Sequence, residues 1–245
     1  FDRSLEAIPE ALQRNQQLLS AASITPYADF TVGNKMRKAI LERAREHETP
    51  LALNNQRSPG ENELYKRKTG QLFRSLRKGG FDFKTFAPTG KSSLYTALEH
   101  IPDEVPILLT HNTYSTAQEI HQAQMMGKRT TWVLCPFSDK AISGTTSDIS
   151  AFYRNDANVA IGTGDAPNNQ TFSILEILKY PAHSSPALTL EVLVRWATWN
   201  GAQALNMQRE LGSLEPGKKP GLLLLENLNL EHLQLQEETR LQRLL

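Results

Sequence analysis

The stretch ILLTHNTYST, Ile107 to Thr116, is an apolar run that stops at a histidine and turns polar. His111 stands where a buried strand would end and a loop begin, the place where α/β proteins keep functional side chains. An imidazole there can ligate a metal, act as a general base, or simply hold a strand end by hydrogen bonds. A second candidate is PTGKSS, residues 88–93. A phosphate loop needs a glycine five residues before its second glycine, and Thr85 occupies that place, so a nucleoside-triphosphate site is not expected. The strand–loop–helix context can still hold an anion on helix amides. His47, His100, His121 and His232 fall on helix-like or tail segments and read as surface residues; His183 follows a proline in what reads as a loop. Trp132, Trp196 and Trp199 read as core and helix-packing residues, and the Lys/Arg run of 66–78 as a solvated helix face.

The elements that must position these residues come from an ordinary globular composition. The chain has 245 residues, 39% hydrophobic and 22% charged, enough for one large domain or one domain with a small appendage. Its 27 basic and 26 acidic side chains leave a net charge of +1, so no one-signed field of the kind a nucleic acid or membrane surface attracts is expected. A single cysteine, Cys135, excludes an internal disulfide framework and fits a reducing, cytoplasmic compartment. No apolar run approaches the roughly 18 residues of a spanning helix. The chain opens at Phe1, in helix-like sequence without a signal-peptide pattern, and is read as cut or processed at its front.

Periodicity predicts helices over 4–22, 34–48, about 62–78, 92–101 (capped by Ser92), 116–127, and within 170–180 and 188–206. Strands are predicted at 23–26, 50–55, 81–88, 105–110, 130–136, 158–164 and 220–227, with a leucine-rich but polar tail over 228–245. Strands alternating with helices at this spacing argue βα units around a parallel sheet, and the strands are nearly all apolar, as when both faces are covered. An eight-stranded barrel takes about 250 residues, so as a barrel this chain is short of strands.

The strand ends read in order SITPYAD, LALNNQRS, LLTHNT, VLCPFSD and AIGTGDAPNN, followed by WATWNGAQAL and GSLEPGKKPGLLLLE. This series resembles the second half of the amidohydrolase superfamily, in its deaminase/chlorohydrolase branch, where an HAPYS-like loop matches TPYAD, HNQES matches NNQRS, TGKSSL matches residues 89–94, and LLVHNT, CLCPNANLYI and GTDSLASN match the last three ends. The resemblance runs almost end to end. It implies a (β/α)8 TIM barrel incomplete at its N-terminal side over 1–210, and a segment 211–245 returning to a small β-sandwich. It also implies metal-assisted hydrolysis of a C–N bond, in which zinc or iron activates a bound water.

Residue by residue, the resemblance keeps His111 at the sixth strand, and Thr89, Lys91 and Ser92 in TGKSS as substrate contacts. Asn54 stands where the fifth-strand metal histidine belongs, and Arg57 where the proton-shuttling glutamate belongs; both then become substrate-facing positions. Gly164 replaces the eighth-strand aspartate, with Asp165 one residue later as a candidate catalytic carboxylate. No HxH strand is found. His111 and Asp165 are the two remaining weak metal ligands, and a neutral amide, a guanidinium and a glycine are poor substitutes for the rest. The expectation is a protein descended from a metal-dependent hydrolase or deaminase, with catalysis impaired or lost and no cofactor in this form. It would act as a homo-oligomer or beside a partner subunit, with a small-molecule ligand as a further option. The alternative is an active hydrolase completed by an N-terminal half outside this chain.

Overall fold

The computed structural model describes residues 23–244 except 85, 165–172 and 186. The helix expected over 4–22 and the candidate Asp165 lie outside the described residues. Four strands, β1 (Leu51–Asn55), β2 (Ile107–His111), β3 (Thr130–Leu134) and β4 (Val159–Ile161), form one parallel sheet in sequential order. Helices cross between them: α1 (Asn34–Glu46) precedes β1, then come α2 (Pro59–Arg67), α3 (Gly70–Lys78) and α4 (Ser93–His100). Next are α5 (Ala117–Met125), α6 (Pro136–Ser143), α7 (Ile149–Arg154), α8 (Ile174–Ser184), α9 (Leu190–Ala197) and α10 (Trp199–Ala204). Strand order equal to chain order, with helical crossovers, is the repeat of a (β/α)8 barrel wall, as expected.

Register decides which side chains meet the helices. Leu53, Leu109, Trp132 and Val159 lie side by side across the sheet, and all are buried. They pack with Leu94 and Leu98 of α4, Ile120 of α5 and Phe152 of α7 in one core cluster. Trp132 and Phe152 meet edge-to-face at 5.2 Å, and each such buried side chain contributes about 1.5–3 kcal/mol of apolar transfer. Alternation sends the rows between, such as Asn54, Thr110, Val133 and Ala160, to the opposite face.

Several expected elements differ. Residues 23–26 form no strand; they run extended beside β1, where Thr25 Oγ1 donates to the Ala52 carbonyl and the Asn54 amide to the Tyr27 carbonyl. The expected helix over 62–78 is broken in two, because Lys68 takes a left-handed conformation (φ 53°) and Gly70 follows at φ 91°. The segment 81–88 alternates in sequence, yet its described residues form no strand. Its phenylalanines pack on each other and on α2 and α3 instead, with Phe83 against Phe73 and Phe86, and Phe86 against Tyr65. The helix expected within 188–206 breaks at Thr198 (ψ −79°). His183 lies in the last turn of α8, not in a loop. Helices α6 and α7 have no counterpart among the elements that periodicity predicts. Nor has β6 (Arg240–Arg243), which pairs antiparallel with β5 (Leu223–Glu226) to make a ribbon apart from the main sheet.

Candidate functional site

The carboxyl ends of β1 and β2 carry the candidate residues, and register places them one step apart. Asn54 lies beside Thr110, while His111 lies beside Asn55. Asn54 and His111 therefore stand in different rows of the ladder. Asn54 is half-buried, and its side-chain oxygen accepts from Thr110 Oγ1 at 2.7 Å. His111 is buried, and its Nδ1 lies 2.6 Å from Oδ1 of Asp139, a fully buried carboxylate on α6.

The backbone bends to make that pairing. His111 (φ 73°) and Asn112 (φ 61°) are both left-handed, a conformation costing roughly 1–2 kcal/mol for most L-residues and least for asparagine. Asn112 secures the bend: its side-chain amide donates to the Leu109 carbonyl at 2.7 Å, and its side-chain oxygen accepts from Asn55 at 3.0 Å. Its backbone amide donates to the Asn55 carbonyl, and that of Tyr114 to the Gln56 carbonyl, so the ladder runs on past the strand end. Strain of this kind persists only where surrounding contacts over-determine it.

Gln56 is the hub of a second buried set. Its amide nitrogen donates to Glu119 at 2.8 Å and to Asn62 at 3.4 Å, and its oxygen accepts from the Ser115 hydroxyl. Asn62 in turn accepts from the Ser93 amide and hydroxyl, tying the start of α4 to the end of β1. Glu61 accepts from the backbone amides of Gln56, Arg57 and Ser58, closing a capping box with Ser58. Burial pushes the Glu61 carboxyl up to about 7, against the pull of those three amides and the Arg57 guanidinium.

The expected substrate contacts are distributed differently. Arg57 donates from Nη1 to the Tyr27 hydroxyl at 2.6 Å at the exposed rim. Thr89 binds the Tyr65 carbonyl through its backbone and Thr96 through its hydroxyl; Lys91 pairs with Glu99 on the exposed side of α4; Ser92 caps α4 by accepting from the Tyr95 amide. TGKSS therefore builds the start of a helix, and none of its three candidates contacts Asn54 or His111. Gly164 (φ 60°) lies against Ser138 and Cys135, where an added Cβ would come within 2.7 Å of Ser138 Cβ.

Asp139, Gln56, Asn112 and Glu61 were missed by sequence reasoning. Ser58 and Thr116, each followed three residues later by glutamate, do carry a readable capping signature. Asp139 carries none, because its partner lies 28 residues away. Among the described residues the donor set does not fit a metal centre. A catalytic zinc takes about three imidazole, thiolate or carboxylate ligands, and no three His, Cys, Asp or Glu side chains converge among the described residues. Position 54 offers a neutral oxygen already bonded to Thr110, and the imidazole is joined to Asp139.

The family model described as "Amidohydrolase family" matches residues 2–240. A 5-methylthioadenosine/S-adenosylhomocysteine deaminase of Caldanaerobacter subterraneus is 26% identical over 221 residues, covering 86% of this chain and 45% of that protein. An adenosine deaminase of Helicobacter pylori is 22% identical over 216 residues, covering 82% and 49%. Among solved structures, H. pylori aminofutalosine deaminase aligns with a TM-score of 0.72 at 19% identity, covering 89% of this chain and 55% of that one. A zinc-bound adenosine deaminase from Xanthomonas campestris aligns at 0.67 and 22% identity, covering 89% and 47%. The chain thus spans about half the length of the relatives it matches.

Proposed function

The chain belongs to the amidohydrolase family, and from that premise we propose a member without metal chemistry of its own, whose strand ends hold a buried hydrogen-bond network in place of a metal centre. One observation carries this reading: the His111 imidazole is paired, inside the protein, with the Asp139 carboxylate. A buried ion pair or charge-assisted hydrogen bond of this kind is costly to break, so His111 is held as part of the scaffold. Asn54, Arg57 and Gly164 offer no replacement donors at the three matching positions. Such a protein would serve as a structural or regulatory subunit of a deaminase-type system, and its lone cysteine, buried Cys135, supports a reducing compartment such as the cytoplasm.

The test is elemental analysis of the purified chain together with a deamination assay on 5-methylthioadenosine and S-adenosylhomocysteine, the compounds named for its relatives. The expected result is no stoichiometric zinc or iron and no turnover above buffer. One metal per chain with turnover would overturn the reading in favour of a remodelled hydrolase. His111→Ala is a poor control, because it strands the Asp139 carboxylate in the core. The double variant His111→Gln with Asp139→Asn removes the pair without leaving a buried charge.

A further inference from the structure

The crossover between β1 and β2 carries a concentration of charge that the chain's overall balance hides. Residues 63–84 hold seven basic and two acidic side chains, +5, whereas the whole chain is +1, so the remainder is net acidic at −4. Lys66, Arg67, Arg74, Arg77, Lys78 and Lys84 are exposed, and their side chains make no hydrogen bond or ion pair among the described residues. Both strands that this crossover joins are described and paired with one another. Its surface is therefore that of a whole βα unit, not of a sheet edge or of the β5–β6 ribbon.

Three of these cations share one face. Arg74, Arg77 and Lys78 are spaced i, i+3 and i+4 along α3 and so lie together on the helix. Lys66 and Arg67 end α2, with only Lys68 and Thr69 between them and α3. Lys84 follows Phe83, whose ring packs edge-to-face on Phe73 of α3 at 5.1 Å. The backing is stiff, since Phe83 also meets Phe86 at 5.6 Å and Lys68 donates to the carbonyls of both. Of the two acids, Glu63 lies on α2, and Asp82 accepts from the Lys84 backbone amide at 2.9 Å. A stiff layer under the cations lowers the ordering cost of binding.

The kind of anion follows from what else the surface offers. The apolar side of α3 is turned inward: Phe73 packs on Phe83, and Leu72 Cβ lies 2.8 Å from where a Cβ on Gly60 would stand. No free apolar face is left to sink into a lipid interface, as a membrane-binding helix requires. What stands exposed beside the cations is one aromatic ring, Phe81, 42% exposed just after the turn at Gly79 and Gly80. Guanidinium forks fit phosphate oxygens, and a ring among phosphate-binding cations is a platform on which a base stacks. A carboxylate-bearing protein surface would use the cations and leave the ring idle.

We propose that the α3 surface binds single-stranded nucleic acid without regard to base sequence, its cations on the phosphates and Phe81 under a base. The net charge of +1 had argued against such a partner for the molecule as a whole; what attracts a polyanion is the local field, and here it is of one sign. This binding is independent of whether the strand ends hold metal.

The experiment is fluorescence anisotropy of the whole chain with a labelled oligothymidylate of about 20 nucleotides, at salt from about 50 to about 200 mM. Binding is expected at low salt, with a log–log salt slope of about −4 if six phosphates are neutralised. Variant one carries Arg74→Glu, Arg77→Glu and Lys78→Glu and should bind at least about tenfold more weakly. Variant two makes the same charge change elsewhere, at Lys38→Glu, Arg45→Glu and Arg209→Glu, and should stay within about threefold of wild type; all six positions are exposed. Phe81→Ala should cost about fivefold with the salt slope unchanged, because it removes stacking and no phosphate contact. Circular dichroism verifies that each variant is folded. No binding at low salt, equal loss in both triple variants, or an indifferent Phe81→Ala would overturn the proposal. So would a wild type that ignores the oligonucleotide and instead binds phosphatidylserine vesicles or a polyglutamate peptide through the residues of variant one.

Discussion

His111 and Asn112 occupy left-handed backbone conformations at the end of β2, where His111 meets the Asp139 carboxylate and Asn112 bonds Leu109 and Asn55. At this scale the site is a set of commitments: Asn54, Arg57 and His111, which in a hydrolase would face substrate or metal, are each bonded to a neighbour. Gly164 is the clearest case of a position closed to any side chain. At φ 60° with Ser138 Cβ only 2.7 Å from where a Cβ would stand, an aspartate there must strain the backbone and overpack the contact. Gly164→Asp is expected to cost about 2–4 kcal/mol in urea unfolding, and to be partly relieved by Ser138→Gly. Adding Asn54→His and Arg57→Glu beside it is not expected to yield a metal site unless Ser138 is also cut back; an undiminished stability for Gly164→Asp would contradict this. Glu61 provides a pH signature. Its folded value of about 7 lies above the ordinary 4.5, so the fold prefers the neutral acid. The contribution is full below about 4.5 and lost as pH rises through about 7, and is on the order of 3 kcal/mol. Urea midpoints at about pH 5 and about pH 8 should therefore fall with pH in the wild type and fall less in Glu61→Gln; equal slopes would show that the three amide bonds outweigh burial.

Elements in this chain are ended by single residues more than by loss of periodicity. Lys68 stops α2, and Gly70 restarts the chain as α3 because its positive φ lets the backbone pass close to Glu63. The sheet ends in a similar economy at β4, where Asn200 of α10 binds the outermost strand through Val159. Asn200→Ala leaves that carbonyl without its donor, and a loss of about 1–3 kcal/mol is expected. Hydrogen exchange should show the loss as faster opening of β4 and α10 while β1 and β2 hold; uniform exchange across the sheet would argue that Asn200 is only packing. The aromatic segment 81–88 shows the reverse error, since its alternation is that of a strand but its rings are consumed by Phe73 and Tyr65 before any strand can claim it.

At the scale of the whole molecule, the parallel order of β1 to β4, their near-continuous apolar character, the caps at Ser92 and Thr116, and the family pattern were all legible in the sequence. They are local records: a buried strand must be apolar throughout, and a helix start must satisfy its own free amides, wherever the rest of the chain goes. The positions of Asn54, Arg57, His111 and Gly164 at strand or loop ends were legible for the same reason. What the sequence could not state is what those side chains touch. A one-residue register sets His111 beside Asn55 and not Asn54, and no property of either strand alone carries that choice. Asp139 becomes the partner of His111 because a crossover brings α6 back over the end of β2, and the Gln56, Glu119 and Asn62 network joins helix starts for the same reason. Burial fixes which residues are inside; only the closing of the chain on itself decides which buried polar groups find each other, because a hydrogen bond requires contact within about 3 Å, which composition and periodicity do not encode.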